Sequence, residues 1–275
     1  MSEVPTITLH DGVEIPQLGF GVFQVPPEDA QEVVEVALEV GYRHIDTAAA
    51  YRNEDGVGAA IARSGIPRED LFVTTKLWNN HHGFDSARRE FEASVSRLGT
   101  GYVDLYLIHW PAPAQDRYVD TWRAFERIHS DGGARTIGVS NFRIEDLERL
   151  EAETEARPTV NQIELHPWLQ QAELRAWHDR HGVATEAWSP LGQGGELLQD
   201  ETIGAIADRH GKTAAQAVLG WHLELGNIVF PKSVTPERIR ENFDVFDFEL
   251  GSEEIDEISG LDRGRRLGPD PATFS

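Results

Sequence analysis

Short apolar runs alternate with longer amphipathic stretches along almost the whole chain. The apolar runs are rich in β-branched and aromatic residues, which is typical of buried strands. We predict strands at 18–21, 44–46, 72–76, 104–109, 136–140, 160–163, 184–188 and 228–230. Between them, apolar residues recur at helical spacing, which predicts helices over 27–40, 55–64, 86–98, 118–130, 144–155, 171–181, 205–225 and 236–245.

The spacing of the strand ends favours a closed barrel. Asp46, Lys76, His109 and Ser140 end successive predicted strands and lie 30, 33 and 31 positions apart, which is the length of one βα unit. Eight such units close into a TIM barrel. An open doubly wound sheet alternates in the same way, but its dinucleotide-binding form carries Gly-x-Gly-x-x-Gly after a strand. Only weak matches to that motif occur, at 19–21 and 56–58. We therefore predict an α/β fold, a (β/α)8 TIM barrel.

Two features flank the alternating region. Residues 6–9 and 13–15 surround an Asp-Gly pair that favours a tight turn, so they predict an N-terminal β-hairpin. Residues 262–275 are rich in Gly, Pro and Arg and predict a loop or a frayed end. Because no linker or low-complexity segment interrupts the chain, we predict a single domain over residues 1–275 that ends in this C-terminal tail.

Composition narrows the range of partners. The 275 residues carry a net charge of −22, so nucleic acid and anionic membranes would be repelled over most of the surface. No run approaches the roughly 18 apolar residues of a membrane span, and residues 1–5 lack the features of a signal peptide. The absence of cysteine excludes disulfides and thiolate chemistry. We expect a soluble cytoplasmic protein, a monomer rather than an oligomer. The acidic surface fits either adaptation to high salt or an ordinary acidic protein.

Polar side chains follow strands that should be buried. Asp46, Lys76 and His109 end three predicted strands, and Tyr51 follows the first of them after a turn of small residues. The carboxyl ends of barrel strands converge on one face, so these groups should meet there. Asp46 would keep Lys76 charged, and Lys76 would favour the Tyr51 phenolate. His109 would donate to an oxygen that gains negative charge. This set suits carbonyl reduction by a hydride cofactor and requires no metal.

Each of these four residues, taken singly, could instead have a purely structural role. Asp46 and Lys76 could form a structural ion pair, His109 could be a core histidine and Tyr51 could anchor a loop. A lysine on a barrel strand also raises the alternative of a Schiff-base enzyme, although Asp46 and Tyr51 argue against it. Four further histidines lack the spacing of a metal site, and we predict that they lie at the surface: His81, His82, His178 and His181.

A second polar cluster follows the last predicted strand. Lys232 and Arg238 flank Thr235, which can cap a helix whose first residue is Pro236. Exposed helix N–H groups beside two cations predict a phosphate site, and a capped helix with ordinary surface charges is the alternative. Three aromatic side chains beside the strand ends predict the walls of a pocket for a small substrate: Phe23, Trp78 and Trp110.

Three longer motifs resemble the aldo-keto reductase family: GYRHIDTAAAYRNEDGVG at 41–58, RTIGVSNF at 135–142 and PKSVTPERIREN at 231–242. The resemblance covers nearly the whole chain. It implies that NADPH/NADP+ is bound without a Rossmann motif and that the catalytic tetrad is Asp46, Tyr51, Lys76 and His109. The resemblance assigns to the cofactor Ser140, Asn141 and Gln162 at the carboxamide, Trp188 on the nicotinamide ring, Ser189, Leu191, Gly192 and Gln193 along the pyrophosphate, and Lys232, Ser233, Val234, Thr235, Arg238, Glu241 and Asn242 at the adenosine end.

Within this family the chain most resembles the prokaryotic 2,5-diketo-gluconate reductases, which share Trp188 where most members have tyrosine. The loops after Trp110 and Trp188 are short, which implies an open pocket for small or sugar-derived carbonyls such as methylglyoxal or 2,5-diketo-D-gluconate. The alternative function is a catalytically silent NADP-binding barrel with a regulatory or structural role. Loss of Tyr51 or Lys76 would indicate that alternative, and both residues are present.

Overall fold

The computed structural model describes residues 4–275, which form a barrel of eight parallel strands behind a two-stranded antiparallel hairpin. Residues 1–3 lie outside this range. They belong to the segment 1–5, which we predicted to lack the features of a signal peptide. The hairpin strands are β1 at Thr6–Thr8 and β2 at Glu14–Pro16. The barrel strands are β3 at Phe20–Gly21, β4 at His44–Asp46, β5 at Phe72–Leu77, β6 at Val103–Ile108, β7 at Ala134–Ser140, β8 at Val160–Glu164, β9 at Ala184–Trp188 and β10 at Ile228–Val229.

Each barrel strand pairs in parallel with the next strand along the chain, from β3 to β10. A parallel bridge between Leu18 and Val229 joins the two ends, and the Gly19 amide donates to the Val229 carbonyl at 2.9 Å. The predicted TIM barrel and N-terminal hairpin are confirmed.

The helices described are α1 at Ala30–Val40, α2 at Glu54–Ser64, α3 at Phe84–Leu98, α4 at Tyr118–Ser130, α5 at Ile144–Glu153, α6 at Ala172–His181, α7 at Glu201–His210, α8 at Ala214–Glu224, α9 at Pro236–Phe243 and α10 at Ser252–Ser259.

The apolar core determines which end of the barrel is open. A cluster inside the barrel packs Ile15 of the hairpin against Phe72, Leu105 and Ile228, and all four residues are buried. These residues lie at or near the amino ends of the strands, so apolar side chains close that end. A larger cluster fills the layer between strands and helices. The carboxyl ends of the strands are therefore left for polar groups and a cleft.

Several sequence-based expectations were wrong in detail. The helix predicted over 205–225 is two helices, because Gly211 ends α7 with a φ of 63° and Thr213 begins α8 through a reciprocal cap with Gln216. Helix α10 was not predicted, since its segment is charged and buries only Ile258. Within residues 4–275 no helix is both long and apolar enough to cross a membrane.

Two of the histidines predicted at the surface are buried. His178 lies between Asn161 and Thr185, with ring nitrogens 3.0 and 2.9 Å from their side chains. His82 is 2% exposed. Burial lowers the pKa of His178 to about 3 and that of His82 to about 4, so both rings are neutral packing residues. The described part of the chain contains no group of three or more metal-ligating side chains.

Candidate active site

The carboxyl ends of three neighbouring strands bring the predicted ionisable groups together. Asp46 ends β4, Lys76 is the next-to-last residue of β5, and His109 directly follows β6. Tyr51 ends a short 3₁₀ turn, Ala49–Tyr51, that follows β4. The four side chains that the sequence predicted to meet are therefore in one place, at the open end of the barrel.

The turn that carries Tyr51 is held by a buried asparagine. The Asn53 side chain accepts a hydrogen bond from Thr47 Oγ1 at 2.8 Å. Its amide nitrogen donates to the backbone oxygens of Val22 and Val25 at 3.0 and 3.2 Å. Because every polar atom of this buried amide is bonded to a different segment, the turn has a fixed position above the strand ends.

Lys76 is the centre of the cluster and is fully buried. Its Nζ donates to Asp46 Oδ1 at 2.6 Å and to the Thr47 carbonyl at 2.9 Å, and it lies 3.5 Å from the Tyr51 hydroxyl oxygen. An ammonium has three protons to donate, and here each has an acceptor. An unpaired charge at this depth would cost several kcal/mol, so the Asp46 carboxylate is what allows Lys76 to remain charged.

Burial is the largest influence on the pKa values of Tyr51 and Lys76. Burial raises the pKa of Tyr51, and the charge of Lys76 offsets only part of this increase. The expected lowering of the Tyr51 pKa by Lys76 is thus real but smaller than the effect of burial. For Lys76, burial lowers the pKa, but Asp46 and Tyr51 together raise it above its usual value. At neutral pH the phenol therefore keeps its proton and the lysine keeps its charge.

His109 faces the same space as a neutral imidazole. Burial, and then the charge of Lys76, lower the pKa of His109 well below its usual value. Its ring packs edge-on against Tyr51 and Trp78, with centroid separations of 5.6 and 5.1 Å. His109 Nδ1 has no hydrogen-bond partner within residues 4–275. Because this Nδ1 is buried, the single N–H donor of the neutral ring has to lie on Nε2 to bind an oxygen atom in the cleft.

The residues at the carboxyl ends of β7, β8 and β9 form a connected set of hydrogen bonds. Trp188 Nε1 donates to Asn141 Oδ1 at 2.8 Å. The amide nitrogen of Asn141 donates to the His109 carbonyl and to Ser140 Oγ, both at 3.0 Å. Ser140 Oγ in turn donates to the Gln162 carbonyl at 2.8 Å. Both protons of the Asn141 amide are used, so this residue fixes the Trp188 ring and leaves one lone pair of Oδ1 for a ligand.

A continuous cleft of about 1330 Å³ runs from the cluster around Lys76 to the start of α9. Two of the predicted site residues do not line it. Lys76 lies behind Tyr51 and Asp46, and Gly192 packs on Leu197, whose side chain a Cβ would meet at 2.8 Å. The predicted residues that line the cleft are Asp46, Tyr51, His109, Ser140, Asn141, Gln162, Trp188, Ser189, Leu191, Gln193, Lys232, Ser233, Val234, Thr235, Arg238, Glu241, Asn242, Phe23, Trp78 and Trp110.

The far end of the cleft carries exposed positive charge. Lys232 and Arg238 are exposed, and within residues 4–275 neither has a carboxylate within 4.0 Å. The expected side-chain cap by Thr235 is not formed; instead Ser233 Oγ accepts from the Thr235 amide at 3.0 Å. In a chain of net charge −22, two cations without counter-ions beside a helix start are suited to an anionic ligand.

The C-terminal tail covers part of the mouth, which the sequence did not predict. The Phe274 ring lies 4.6 Å from Trp110 and 6.1 Å from Trp78, centroid to centroid. The tail is anchored by Glu164, a buried carboxylate that accepts from the amides of Leu267 and Gly268. Gly268 approaches so closely that a Cβ would overlap the Trp188 ring. The tail lacks helix and strand, as expected, but it is held in place and not frayed.

Three site residues were missed by the sequence reasoning: Phe274, Glu164 and Glu186. Glu164 is an acid at the end of a strand, the same signal that identified Asp46, whereas Glu186 is an acid in the middle of β9, where no strand-end signal marks it. Phe274 carried no local signal, because the path of the tail depends on tertiary contacts.

Comparisons with known proteins agree with this geometry. The sequence profile of the Aldo/keto reductase family matches residues 17–263. The chain belongs to the aldo/keto reductase family. The expected resemblance is therefore confirmed, and the family makes the chain an NADP-dependent oxidoreductase of the carbonyl-reducing type.

Similar proteins cover the chain from end to end. An aldo-keto reductase of Mycolicibacterium smegmatis is 59% identical over 98% of this chain and 98% of its own length. The methylglyoxal reductase DkgA of Escherichia coli is 51% identical over 100% of this chain and 99% of its own length. A crystal structure of a Gox0644 variant in complex with NADPH has a TM-score of 0.96 and 47% identity, with both chains fully covered.

Proposed function

We propose that this aldo/keto reductase reduces small aldehydes and ketones to alcohols with NADPH, and that Tyr51 is the general acid. The observation that carries the proposal is the placement of Lys76 Nζ between Asp46 Oδ1, at 2.6 Å, and the Tyr51 hydroxyl, at 3.5 Å, directly behind the wall of the cleft that Asp46 and Tyr51 form. In this arrangement the Tyr51 phenol has a proton to donate, and the fixed positive charge of Lys76 stabilises the phenolate that remains.

The cleft suits an extended dinucleotide. It joins the catalytic cluster to Lys232 and Arg238, and these cations have no carboxylate partner in the described structure. We assign them to the 2′-phosphate, which only NADPH carries, and we assign the Trp188 ring to the nicotinamide. Ser189 and Leu191 lie between these two ends of the cleft, and we assign them to the pyrophosphate.

The protein's own groups then have defined roles. When bound, NADPH supplies the hydride that adds to the carbonyl carbon. Tyr51 donates its proton to the carbonyl oxygen, so that the carbonyl gains one hydride and one proton and becomes an alcohol. Lys76 stabilises the Tyr51 phenolate until it regains a proton from solvent, and Asp46 keeps Lys76 charged and oriented. His109 donates a hydrogen bond to the oxygen as its negative charge develops.

The mouth of the cleft favours small substrates. Trp78, Trp110 and Phe274 form an aromatic wall, and Phe23, which is 51% exposed, lies 5.1 Å from the Tyr51 ring. Because relatives 50 to 53% identical over their full length are named methylglyoxal reductases, we propose methylglyoxal as a substrate. A sugar-derived carbonyl such as 2,5-diketo-D-gluconate is the second candidate, and a rate comparison across a panel of carbonyls distinguishes them.

The assignment of the adenosine end predicts coenzyme preference. Replacing both Lys232 and Arg238 by alanine is expected to raise the KM for NADPH by about 100-fold, since each charge-assisted contact contributes about tenfold. The KM for NADH should change by less than about twofold, because NADH lacks the 2′-phosphate. Initial rates with each coenzyme measure this. Arg240→Ala, at an exposed arginine that does not line the cleft, is the control. Equal losses for NADH and NADPH would contradict the assignment.

A further inference from the structure

Glu186 is a buried carboxyl group that the proposed mechanism does not use. It lies in β9, two residues before Trp188, and is fully buried. Its Oε2 accepts a hydrogen bond from Gln162 Nε2 at 2.9 Å, and the same nitrogen donates to Asp46 Oδ2 at 2.9 Å. Glu186 Oε1 has no partner within residues 4–275. Burying a carboxyl group that has one unpaired oxygen lowers the stability of the fold. We therefore expect the contact with Gln162 to serve a function.

The charge state of Glu186 follows from its surroundings. Burial, and then the negative charge of Asp46, raise the pKa of Glu186 to about 8, although the Gln162 hydrogen bond and Lys76 lower it in part. At neutral pH Glu186 is therefore an uncharged acid. It accepts from Gln162 through one oxygen, and it does not compete with Asp46 for the charge of Lys76.

The Gln162 amide has one possible orientation in this arrangement. Asp46 is paired with the ammonium of Lys76 and is an acceptor only, so the atom of Gln162 that contacts it must be the NH2 group. The two protons of that group are used by Asp46 and Glu186. The amide oxygen is what remains for a ligand, and Gln162 lines the cleft.

We infer that Glu186 is a positioning residue that locks the Gln162 amide with its nitrogen toward Asp46 and its oxygen available to the primary carboxamide of the nicotinamide ring. The inference rests on the proposed NADPH function, in which Gln162 contacts that carboxamide. Glu186 acts through Gln162 and touches neither substrate nor cofactor. Without it, only the bond to Asp46 holds the amide nitrogen, so the amide can pivot about that bond and its oxygen loses its fixed position toward the cleft.

Two variants test separately whether the hydrogen-bond acceptor of Glu186 or the volume of its side chain is what matters. Glu186→Gln keeps a neutral carbonyl acceptor for Gln162 Nε2, whereas Glu186→Leu keeps the approximate volume and removes the acceptor. At pH 7 the Gln variant should behave like the wild type because Glu186 is uncharged there. Glu186→Val, which is smaller, provides a second variant without an acceptor should the Leu variant fail to fold. A thermal melt establishes which of them are folded.

The readout is binding of the cofactor and of an analogue that lacks the amide donor. Dissociation constants of NADP+ and of 3-acetylpyridine adenine dinucleotide phosphate, whose methyl group replaces the NH2 group, are measured by tryptophan fluorescence. The wild type and Glu186→Gln should prefer NADP+ by about tenfold, the effect of one hydrogen bond. In Glu186→Leu or Glu186→Val the preference should fall to within about twofold through weaker NADP+ binding, with analogue binding unchanged.

Three results would overturn the inference, each in a different way. An unchanged preference in a folded Leu or Val variant would show that Glu186 does not position Gln162. Loss of the preference in Glu186→Gln as well would show that the neutral acceptor is not what matters. If the wild type bound the two compounds equally, Gln162 would not contact the carboxamide, but the proposed dependence on NADP+ would stand. If the wild type bound neither compound, the proposed function itself would be refuted.

Discussion

Replacing Tyr51 by phenylalanine is expected to lower kcat for carbonyl reduction by about 10²- to 10⁴-fold, the range of general acid catalysis. The ring, its packing on His109 and the Lys76–Asp46 pair would remain, so only the proton donor is lost. The dissociation constant for NADPH should change by less than about twofold. Steady-state rates with methylglyoxal and a fluorescence titration with NADPH measure the two quantities.

Tyr102→Phe is the matched control for this experiment. Tyr102 does not line the cleft, and its ring contacts the Arg68 guanidinium at 4.0 Å. The same loss of one hydroxyl group there should leave kcat unchanged. Turnover by Tyr51→Phe at the wild-type rate would contradict the assignment of the general acid. A parallel loss of NADPH binding would indicate that Tyr51 has a structural role.

Replacing Lys76 by methionine should affect both stability and activity. The change leaves the Asp46 carboxylate buried without its cation, which is expected to cost about 3 to 5 kcal/mol in the free energy of unfolding. Activity should fall at least as far as in Tyr51→Phe, because the phenolate would have no positive charge beside it. Urea denaturation and steady-state kinetics measure the two effects. Lys212→Met is the control. The Lys212 side chain is only 10% exposed, but its partners Asp244 and Asp247 are exposed and remain hydrated without the cation, so the change should cost no more than about 1 kcal/mol.

A double variant tests whether the stability loss comes from the unpaired charge. Combining Lys76→Met with Asp46→Leu removes both members of the buried pair, and part of the lost stability should return because no uncompensated charge remains. Activity should not return, since the protonation machinery is gone. A double variant that is less stable than Lys76→Met would show that the unpaired carboxylate is not the cause.

The sequence predicted the barrel and the cluster of ionisable groups at its open end for the same physical reason. Strands buried on both faces appear as continuous apolar runs, so an ionisable residue at the end of such a run is conspicuous. Asp46, Lys76 and His109 each follow this pattern, and their spacing is that of successive βα units. The structure places them within reach of one another because parallel strands end at one face.

Features that depend on contacts between distant segments were not predictable. The tail over 262–275 has no periodic pattern, so the contact of Phe274 with Trp110 could not be inferred from its own residues. Whether the pKa of Tyr51 is raised or lowered depends on how deeply the phenol is buried. The sequence-based prediction considered only the charge of Lys76 and did not include burial. Glu186 was overlooked because it lies in the middle of β9 and not at its end, so the strand-end signal that identified Asp46 does not apply to it.

The most direct test of the proposed mechanism is a single-turnover experiment with methylglyoxal and NADPH that carries deuterium at nicotinamide C4 on the transferred face. The mechanism predicts that NADPH absorbance falls when the two are mixed with the enzyme, that one deuterium appears on the reduced carbon of the hydroxy product, and that Tyr51→Phe slows both. Saturable NADPH binding without deuterium transfer to methylglyoxal or to any other carbonyl in the panel would contradict it.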